Sequence, residues 1–454
     1  MSISTSAVPT PDETRRQLER MLASDRFVVA TNQADFLALV VKRALEGKKT
    51  TEDIIGRTLF GAKFEKDEST DVRVTASNLR KKLRTYYAQE GREDLVIIAL
   101  REPPRDKTIK LPEGVAYQPL FSYNPRHPHS RKFRLGIHYL AQKSPEAISQ
   151  ALAYLQDVGM TQESHAPARI ALVEALCATS LYLGSVPPEE LLALARQIAN
   201  DAMQLNPNDW HAHASHGAAL LCSWSLDQAG IEFDTALRLD KIQTLNYVWY
   251  AAYLFTVGKR EQALELVKLS AAEQVESPQA HAAYGIYLYA LRRFDEAELV
   301  LNNALKLDPN YWVARLVLSA LYLSLDRPDD ALRHYDRVQV LTDADGAWVM
   351  PGLAALCASR ATKITKRKRS LMCRWAKELL VNIDASVDWF QCALACLGFQ
   401  ETDNVFLALD DAYITRHPLL LWLDVWPIFD PLRQTPEFQA LVNRINLPHP
   451  VTEP

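Results

Sequence analysis

The stretch AELVLNNALKLDP, Ala297–Pro309, decides the fold. Ala297, Leu301 and Ala304 are spaced by four and then three, so they share one face of a helix, and that helix must stop at Pro309. Working outward in steps of 34 residues, a small residue returns at Ala195, Ala229, Ala263, Ala297 and Ala331. Four residues after each stand Ala199, Phe233, Val267, Leu301 and Tyr335; seven after stand Ala202, Ala236, Ser270, Ala304 and Val338. A 34-residue period marks a helix–turn–helix solenoid. Alanine recurs where two helices cross closely, because a larger side chain would separate their backbones.

The pattern resembles the tetratricopeptide repeat (TPR) family, and other positions agree. With the ladder alanine counted as the twentieth residue of a repeat, the eighth is small: Gly217, Ala251, Gly285, Ser319. The eleventh is large: Leu220, Leu254, Leu288, Tyr322. The third repeat departs most, with its proline late at Pro278.

At 454 residues the chain is too long for one compact core unless it is a solenoid. Nearly half the residues are apolar and only 15 are glycine, which favours a globular, all-α body. Cys177, Cys222, Cys357, Cys373, Cys392 and Cys396 include no CxxC pair, and read as small buried residues in a reducing compartment. The N-terminal MSISTSAVPTPDETRRQ lacks the apolar core of a signal peptide. The longest apolar run, Ile170–Leu183, contains Glu174 and is too short to span a bilayer. The expectation is a cytoplasmic protein with no membrane partner. The net charge of −4 is unevenly placed: residues 1–121 hold 21 Lys+Arg against 18 Asp+Glu. Total charge alone makes that segment a poor nucleic-acid binder.

Pro11–Leu22, Asn32–Leu45 and a short stretch from Thr50 or Thr51 to Leu59 read as three helices. A fourth, Val72–Ala88, puts Val72, Ala76, Leu79, Leu83 and Tyr86 on one face. From Arg73 to Arg84 it holds five basic residues and no acid: Arg73, Arg80, Lys81, Lys82 and Arg84. Leu95–Leu100, Thr108–Leu111 and Val115–Leu120 read as strands, with a charged loop Arg101–Lys107 between the first two. This is the order of a winged helix–turn–helix. DVRVTASNLRKKL (Asp71–Leu83) resembles the recognition helix of OmpR/PhoB-type transcription regulators, and IKLPEGVAYQPLF (Ile109–Phe121) is similar to their wing. The resemblance implies that the Asp71–Tyr87 helix enters the DNA major groove, with Arg73, Thr75, Asn78, Arg80, Lys81, Lys82 and Arg84 towards duplex DNA. Arg73 stands where the family often has Asp, and Asn78 where it often has Arg. Physically, long basic side chains gain affinity by releasing counterions from phosphates. The alternatives are that the charge run is a solvated helix face, or that this domain contacts protein. A homodimer through it is compatible with the second.

Ser122–Lys132 reads as a linker. Regulators of the CadC type join a winged helix to a TPR array through a transmembrane helix, which this chain lacks. Helix pairs are expected from Phe133 to Leu447, and DPLRQTPEFQALVNRINLP (Asp430–Pro448) is similar to the closing segment of bacterial winged-helix/TPR proteins. Phe438, Leu441 and Ile445 would cap the last repeat.

The carboxylate clamp of TPR grooves needs Lys, Arg and Asn at fixed positions. Here the fifth residues are Ala214, Val248, Ala282 and Leu316, and the ninth are Ala218, Ala252, Ile286 and Ala320. The clamp is absent. The twelfth residues, Leu221, Phe255, Tyr289 and Leu323, form an apolar stripe: a groove for a protein or peptide partner, or internal packing of a tightly wound superhelix. His211, His213 and His216 form HxHxxH; His213 and His216 have the spacing of metal ligands, but they read as ordinary helix histidines and no metal is expected. KITKRKR (Lys363–Arg369) reads as an exposed loop. No phosphate loop, nucleophile elbow, dinucleotide fingerprint or catalytic carboxylate pair is found, so neither an enzyme nor a cofactor is expected. The reading is therefore a mostly α chain: winged helix–turn–helix with a small β-hairpin over 1–121, linker 122–132, TPR α-solenoid over 133–447. Its function would be DNA-binding transcription regulation with a protein partner on the TPR array; the alternative is a scaffold that does not bind DNA.

Overall fold

The computed structural model describes residues 9–61, 64, 70–102, 117–142, 145–160, 166–182, 188–239, 247–342, 350–381 and 388–445. They fall into two compact units: an N-terminal one that runs to Leu135 and also takes in Ala166 and Pro167, and a second that holds Gly136–Met160 and the described residues from Ala168 onward.

The N-terminal unit contains α1 (Pro11–Leu22), α2 (Asp25–Val28), α3 (Thr31–Leu45), α4 (Glu52–Phe60), α5 (Asp71–Ala88), β1 (Val96–Leu100) and β2 (Pro119–Tyr123). Thr10 and Glu13 form a capping box at α1: the Glu13 N–H donates to Thr10 Oγ1 at 3.2 Å, and the Thr10 N–H donates to Glu13 Oε2 at 2.8 Å. α5 buries Val72, Ala76, Leu79, Leu83 and Tyr86, the face read from the sequence. Buried Asp94 ties three elements together, accepting from Gln17 Nε2 at 2.6 Å and from the Tyr86 hydroxyl at 2.7 Å. Burial and this carboxylate raise the Tyr86 pKa, keeping the hydroxyl a donor.

β1 and β2 pair antiparallel, from Val96 opposite Tyr123 to Leu100 opposite Pro119. The second strand lies later than the expected Val115–Leu120. Pro119 lacks an N–H and so sits at the strand end, where none is needed. The expected strand Thr108–Leu111 lies outside the described residues. The proposed linker 122–132 is structured at both ends: Ser122 and Tyr123 belong to β2, and Pro128 opens the next helix. The Tyr123 hydroxyl anchors the strand to Glu13 Oε2 at 2.7 Å, and Asn124 extends the ladder through its N–H to the Leu95 carbonyl at 2.8 Å.

The remaining helices are α6 (Pro128–Gln142), α7 (Pro145–Gly159), α8 (Ala166–Tyr182), α9 (Pro188–Leu205), α10 (Trp210–Cys222) and α11 (Leu226–Leu239). They continue as α12 (Tyr247–Thr256), α13 (Arg260–Glu273), α14 (Pro278–Ala290), α15 (Phe294–Leu307), α16 (Trp312–Ser324) and α17 (Pro328–Thr342). α18 (Pro351–Arg360), α19 (Lys366–Val381), α20 (Trp389–Phe399), α21 (Thr402–Ile414) and α22 (Pro436–Ile445) complete the solenoid. Between α21 and α22 lie two short 3-10 segments, Pro418–Trp422 and Pro427–Leu432.

The alanine ladder lies at the helix crossings: Ala195, Ala229, Ala263, Ala297 and Ala331 are all 0% exposed. The small eighth residues face it. A Cβ on Gly285 would sit 2.6 Å from the Leu301 side chain, and the Ser319 hydroxyl donates to the Ala331 carbonyl at 3.0 Å. A second 34-residue ladder appears in the turns. Trp224, Gly258, Arg292 and Asp326 all have positive φ, between 54° and 84°. The N–H that follows each one donates back to the eleventh-position carbonyl: Ser225 to Leu220, Lys259 to Leu254, Arg293 to Leu288, Arg327 to Tyr322. This satisfies an orphan carbonyl at the helix end. Phe438, Leu441 and Ile445 are buried, as their capping role requires.

Candidate functional site

In the N-terminal unit the basic helix does not present its cations as one bare face. Arg73 Nε lies 3.0 Å from Glu52 Oε1, and this hydrogen-bonded pair raises the Arg73 pKa. Arg84 Nη1 lies 3.6 Å from Glu102 Oε1. Arg80 is half-buried and donates to the Arg101 carbonyl at 2.9 Å, and burial lowers its pKa. Lys82 donates to the Arg26 carbonyl at 2.9 Å and lies 5.7 Å over the Phe27 ring. Thr75 is buried at 9% exposure. Asn78 and Lys81 are exposed, on a stripe that also carries Val74 at 54%. The twelve-residue run is free of acid in sequence but not in space, because α4 and the residue pair after β1 supply Glu52 and Glu102.

In the solenoid the twelfth-position stripe is covered. Leu221, Phe255, Tyr289 and Leu323 are 4%, 3%, 2% and 3% exposed. Their cover is the chain's own segment His417–Arg433. The Trp422 ring lies 4.5 Å from Phe255 and 5.1 Å from Tyr287, while Trp426 lies 6.2 Å from Tyr289. Leu421 packs in one cluster with Leu220 and Leu221. Trp422 Nε1 donates to Thr256 Oγ1 at 3.0 Å, and Trp426 Nε1 to the Leu419 carbonyl at 3.2 Å. Every indole donor of the segment is thereby satisfied, as a buried amphipathic ring requires.

Charged pairs fix the segment's register. Arg260 Nη2 lies 3.2 Å from Asp424, and Arg292 Nη2 lies 2.5 Å from Asp430. Arg433 bridges both acids, at 3.1 Å and 2.8 Å. Burial opposes ionisation of Asp430, but hydrogen bonds from Arg292 and Arg433 outweigh it and hold its pKa low. These side chains are partly solvated, so each pair contributes less than about 1 kcal/mol. Their larger effect is positional, because Arg260 and Arg292 come from successive repeats. The sequence signal for this segment was present but aperiodic: PLLLWLDVWPIFDP is apolar, with prolines at 418, 427 and 431 that forbid a long helix.

His417 opens the segment. It is 4% exposed, stacks on Phe390 at 5.5 Å, and accepts the Leu419 N–H at Nδ1 at 3.3 Å. Burial lowers its pKa, against the pull of Asp388. His334 on α17 is lowered to about 4, by burial and then by Arg315 and Arg333. An unfolded histidine takes up a proton near pH 6.5 while these native ones resist it. Stability is therefore full above about 6.5 and is lost as pH falls towards the lowered native value. Urea titration at pH 7 and pH 5 should show a lower midpoint at pH 5, and His334→Gln should remove about 2 kcal/mol of that loss. A midpoint with the same pH dependence in the variant would contradict this.

The histidine motif is explained by the fold. Glu232 of α11, invisible beside HxHxxH in sequence, lies 2.6 Å from His213 Nδ1 and 3.2 Å from His216 Nδ1. His213 Nε2 is 3.0 Å from the Pro207 carbonyl, so both of its ring nitrogens are engaged within the protein. Burial opposes ionisation of Glu232, but the two histidines prevail and lower its pKa. The run Lys363–Arg369 is not wholly a loop: α19 begins at Lys366, Lys368 pairs with Asp336 at 2.5 Å, and Arg369 donates to the Ala361 carbonyl at 2.6 Å. Five of the six cysteines are buried; burial pushes the Cys392 and Cys396 thiols up to about 12 and about 11.

Residues 288–348, from the end of α14 through α17, match the tetratricopeptide repeat family model. This region is a TPR domain. No curated protein matches the sequence. Among solved structures, a tetratricopeptide repeat protein from Parabacteroides merdae is similar at 17% identity and a TM-score of 0.36, over 55% of this chain and 98% of that one. PilF of Pseudomonas aeruginosa is similar at 16% identity and a TM-score of 0.36, over 49% of this chain and 98% of that one. A monomeric mutant of IFIT1, solved with Gppp-AAAA, is similar at 14% identity and a TM-score of 0.46, over 96% of this chain and 94% of that one. No described helix is long and apolar enough to cross a membrane.

Proposed function

We propose that this chain is a non-catalytic protein-interaction scaffold of the cytoplasm. Its TPR inner face is a receptor for a short aromatic segment flanked by carboxylates. The single observation that supports this reading is the fit of His417–Arg433. That segment seats Trp422 against Phe255 and Tyr287, and sets Asp424 and Asp430 on Arg260 and Arg292. The fit defines the chemistry a partner segment would offer when it replaces the chain's own. The TPR match at 288–348 supports protein rather than nucleic-acid recognition. The N-terminal unit holds helices followed by two short antiparallel strands, and we read it as a second protein-contact module. Four of its five basic residues are engaged by Glu52, Glu102 and backbone carbonyls, while Lys81 is exposed.

Affinity capture with the full chain tests this. A captured partner should be displaced by a synthetic 417–433 peptide; a partner untouched by excess peptide would overturn the inner-face reading. A salt titration tests the other unit. Six to ten phosphate contacts would lose roughly 10³–10⁵ in affinity between about 50 and 200 mM salt. The full chain should lose less than about tenfold on mixed-sequence duplex DNA, the slope of roughly two contacts. A thousandfold loss would restore DNA binding as the function of α5.

A further inference from the structure

Beneath the covering segment the inner face is not filled. A cavity of about 330 Å³ remains between the first helices of successive repeats and Leu419, Trp422, Trp426 and Ile428. Protein interiors are close-packed, and voids larger than a water molecule are few. An apolar cavity of roughly 150 Å³ already accepts benzene; this one is about twice that size and is partly open to solvent.

The repeat positions explain why the space exists. Its walls include the fifth residues Val248, Ala282 and Leu316, and the ninth residues Ala252, Ile286 and Ala320. These are the positions that would carry charge in a carboxylate clamp. Here they carry short aliphatic side chains that end before they meet the covering segment. Accordingly Ala252, Ala283, Ile286, Val317 and Ala320 remain only half-buried although they face inward. The indoles and hydroxyls that the covering segment meets on the wall have partners within the protein. Trp422 donates to Thr256, Trp426 to Leu419, and the Tyr287 hydroxyl to the Val248 carbonyl at 3.4 Å; the Tyr289 hydroxyl and Ser324 Oγ are 3.1 Å apart. Burial keeps both tyrosines protonated.

We propose that this cavity is a binding site for a small, uncharged aliphatic or aromatic molecule, held with the 417–433 segment in place. A charged headgroup inside it would be desolvated without a partner, at a cost no wall residue offsets. The lining draws on residues from Ala178 of α8 to Ile428 and carries no charged side chain. The site is distinct from peptide exchange, because it exists only while the chain's own segment is seated.

The experiment uses the full chain and N-phenyl-1-naphthylamine, a neutral dye that fluoresces in apolar surroundings. Trp249, Trp422 and Trp426 line the cavity, so saturable binding near one per chain should quench their emission. Dodecanol should displace the dye at least tenfold more effectively than dodecanoate. Ala320→Phe, which fills the cavity, should weaken dye binding at least tenfold while circular dichroism and Tm are maintained. Ala283→Phe serves the same purpose if the first variant fails to fold. Dye binding unchanged in a folded Phe variant, no saturable binding to the wild type, or equal displacement by dodecanoate would each overturn the proposal.

Discussion

Replacing Trp422 by alanine should destabilise the TPR region by about 3 kcal/mol, the lower end of the range for a large aromatic, because the indole is only partly buried. The loss has two components. The ring contacts with Phe255 and Tyr287, at 4.5 Å and 5.1 Å, disappear, and the Thr256 hydroxyl loses the indole donor at 3.0 Å. Trp422→Phe separates them: it keeps most of the ring contact and loses only the hydrogen bond, about 1 kcal/mol. Urea denaturation of the two variants measures both. Equal midpoints for wild type and Trp422→Ala would mean that the segment does not hold the inner face closed. Because the segment is built of short 3-10 turns, its stability comes almost entirely from these tertiary contacts. The variant should therefore also expose Trp426 to acrylamide quenching before the rest of the region unfolds.

The second large effect lies at the far end of the same face. Gly352→Ala should cost about 3 kcal/mol, the upper end of overpacking, although alanine is the better helix former. An added Cβ would sit 2.1 Å from the Gln391 carbonyl oxygen and 2.9 Å from Leu394 Cβ. The first of these is backbone, which cannot rotate away. α18 and α20 meet through small residues, with Ala355 and Ala395 fully buried beside them and Gly398 only 2.9 Å from Leu356 Cα when given a Cβ. Leu353 and Leu394 are carried by these two helices into the cavity wall. Forcing the helices apart should thus lower Tm and weaken dye binding together. Thermal unfolding checks the first effect, and an unchanged Tm would show that the α18–α20 approach has slack.

The solenoid was legible because its signal is periodic. Ala195, Ala229, Ala263, Ala297 and Ala331 each report the same close crossing, and five reports in phase fix the register. The face of α5 was legible for the same reason. The left-handed turn ladder was not, because two of its four members are Trp224 and Arg292, bulky residues that do not advertise positive φ. The covering segment was missed because a 3-10 turn has neither a 3.6-residue nor a two-residue period, and the aromatic and arginine partners of Trp422, Asp424, Trp426 and Asp430 on the inner face lie more than a hundred residues earlier. Charge was misread wherever the partner came from another element. Glu52 and Glu102 answer α5, and Glu232 answers the histidine motif, yet none lies within the stretch that was read. The apolar stripe Leu221, Phe255, Tyr289 and Leu323 recurs every 34 residues in the sequence; what covers it is visible only in three dimensions.

The most direct measurement is a titration of a fluorescein-labelled 417–433 peptide into the full chain carrying Trp422→Ala and Trp426→Ala, followed by anisotropy. If the inner face is a receptor for an aromatic, acid-flanked segment, the peptide binds the folded double variant saturably and the wild type at least tenfold more weakly. Adding Arg292→Glu to the double variant should weaken binding further by removing the partner of Asp430. No saturable binding to a double variant that retains its helical circular dichroism, or binding indifferent to Arg292→Glu, would contradict the account.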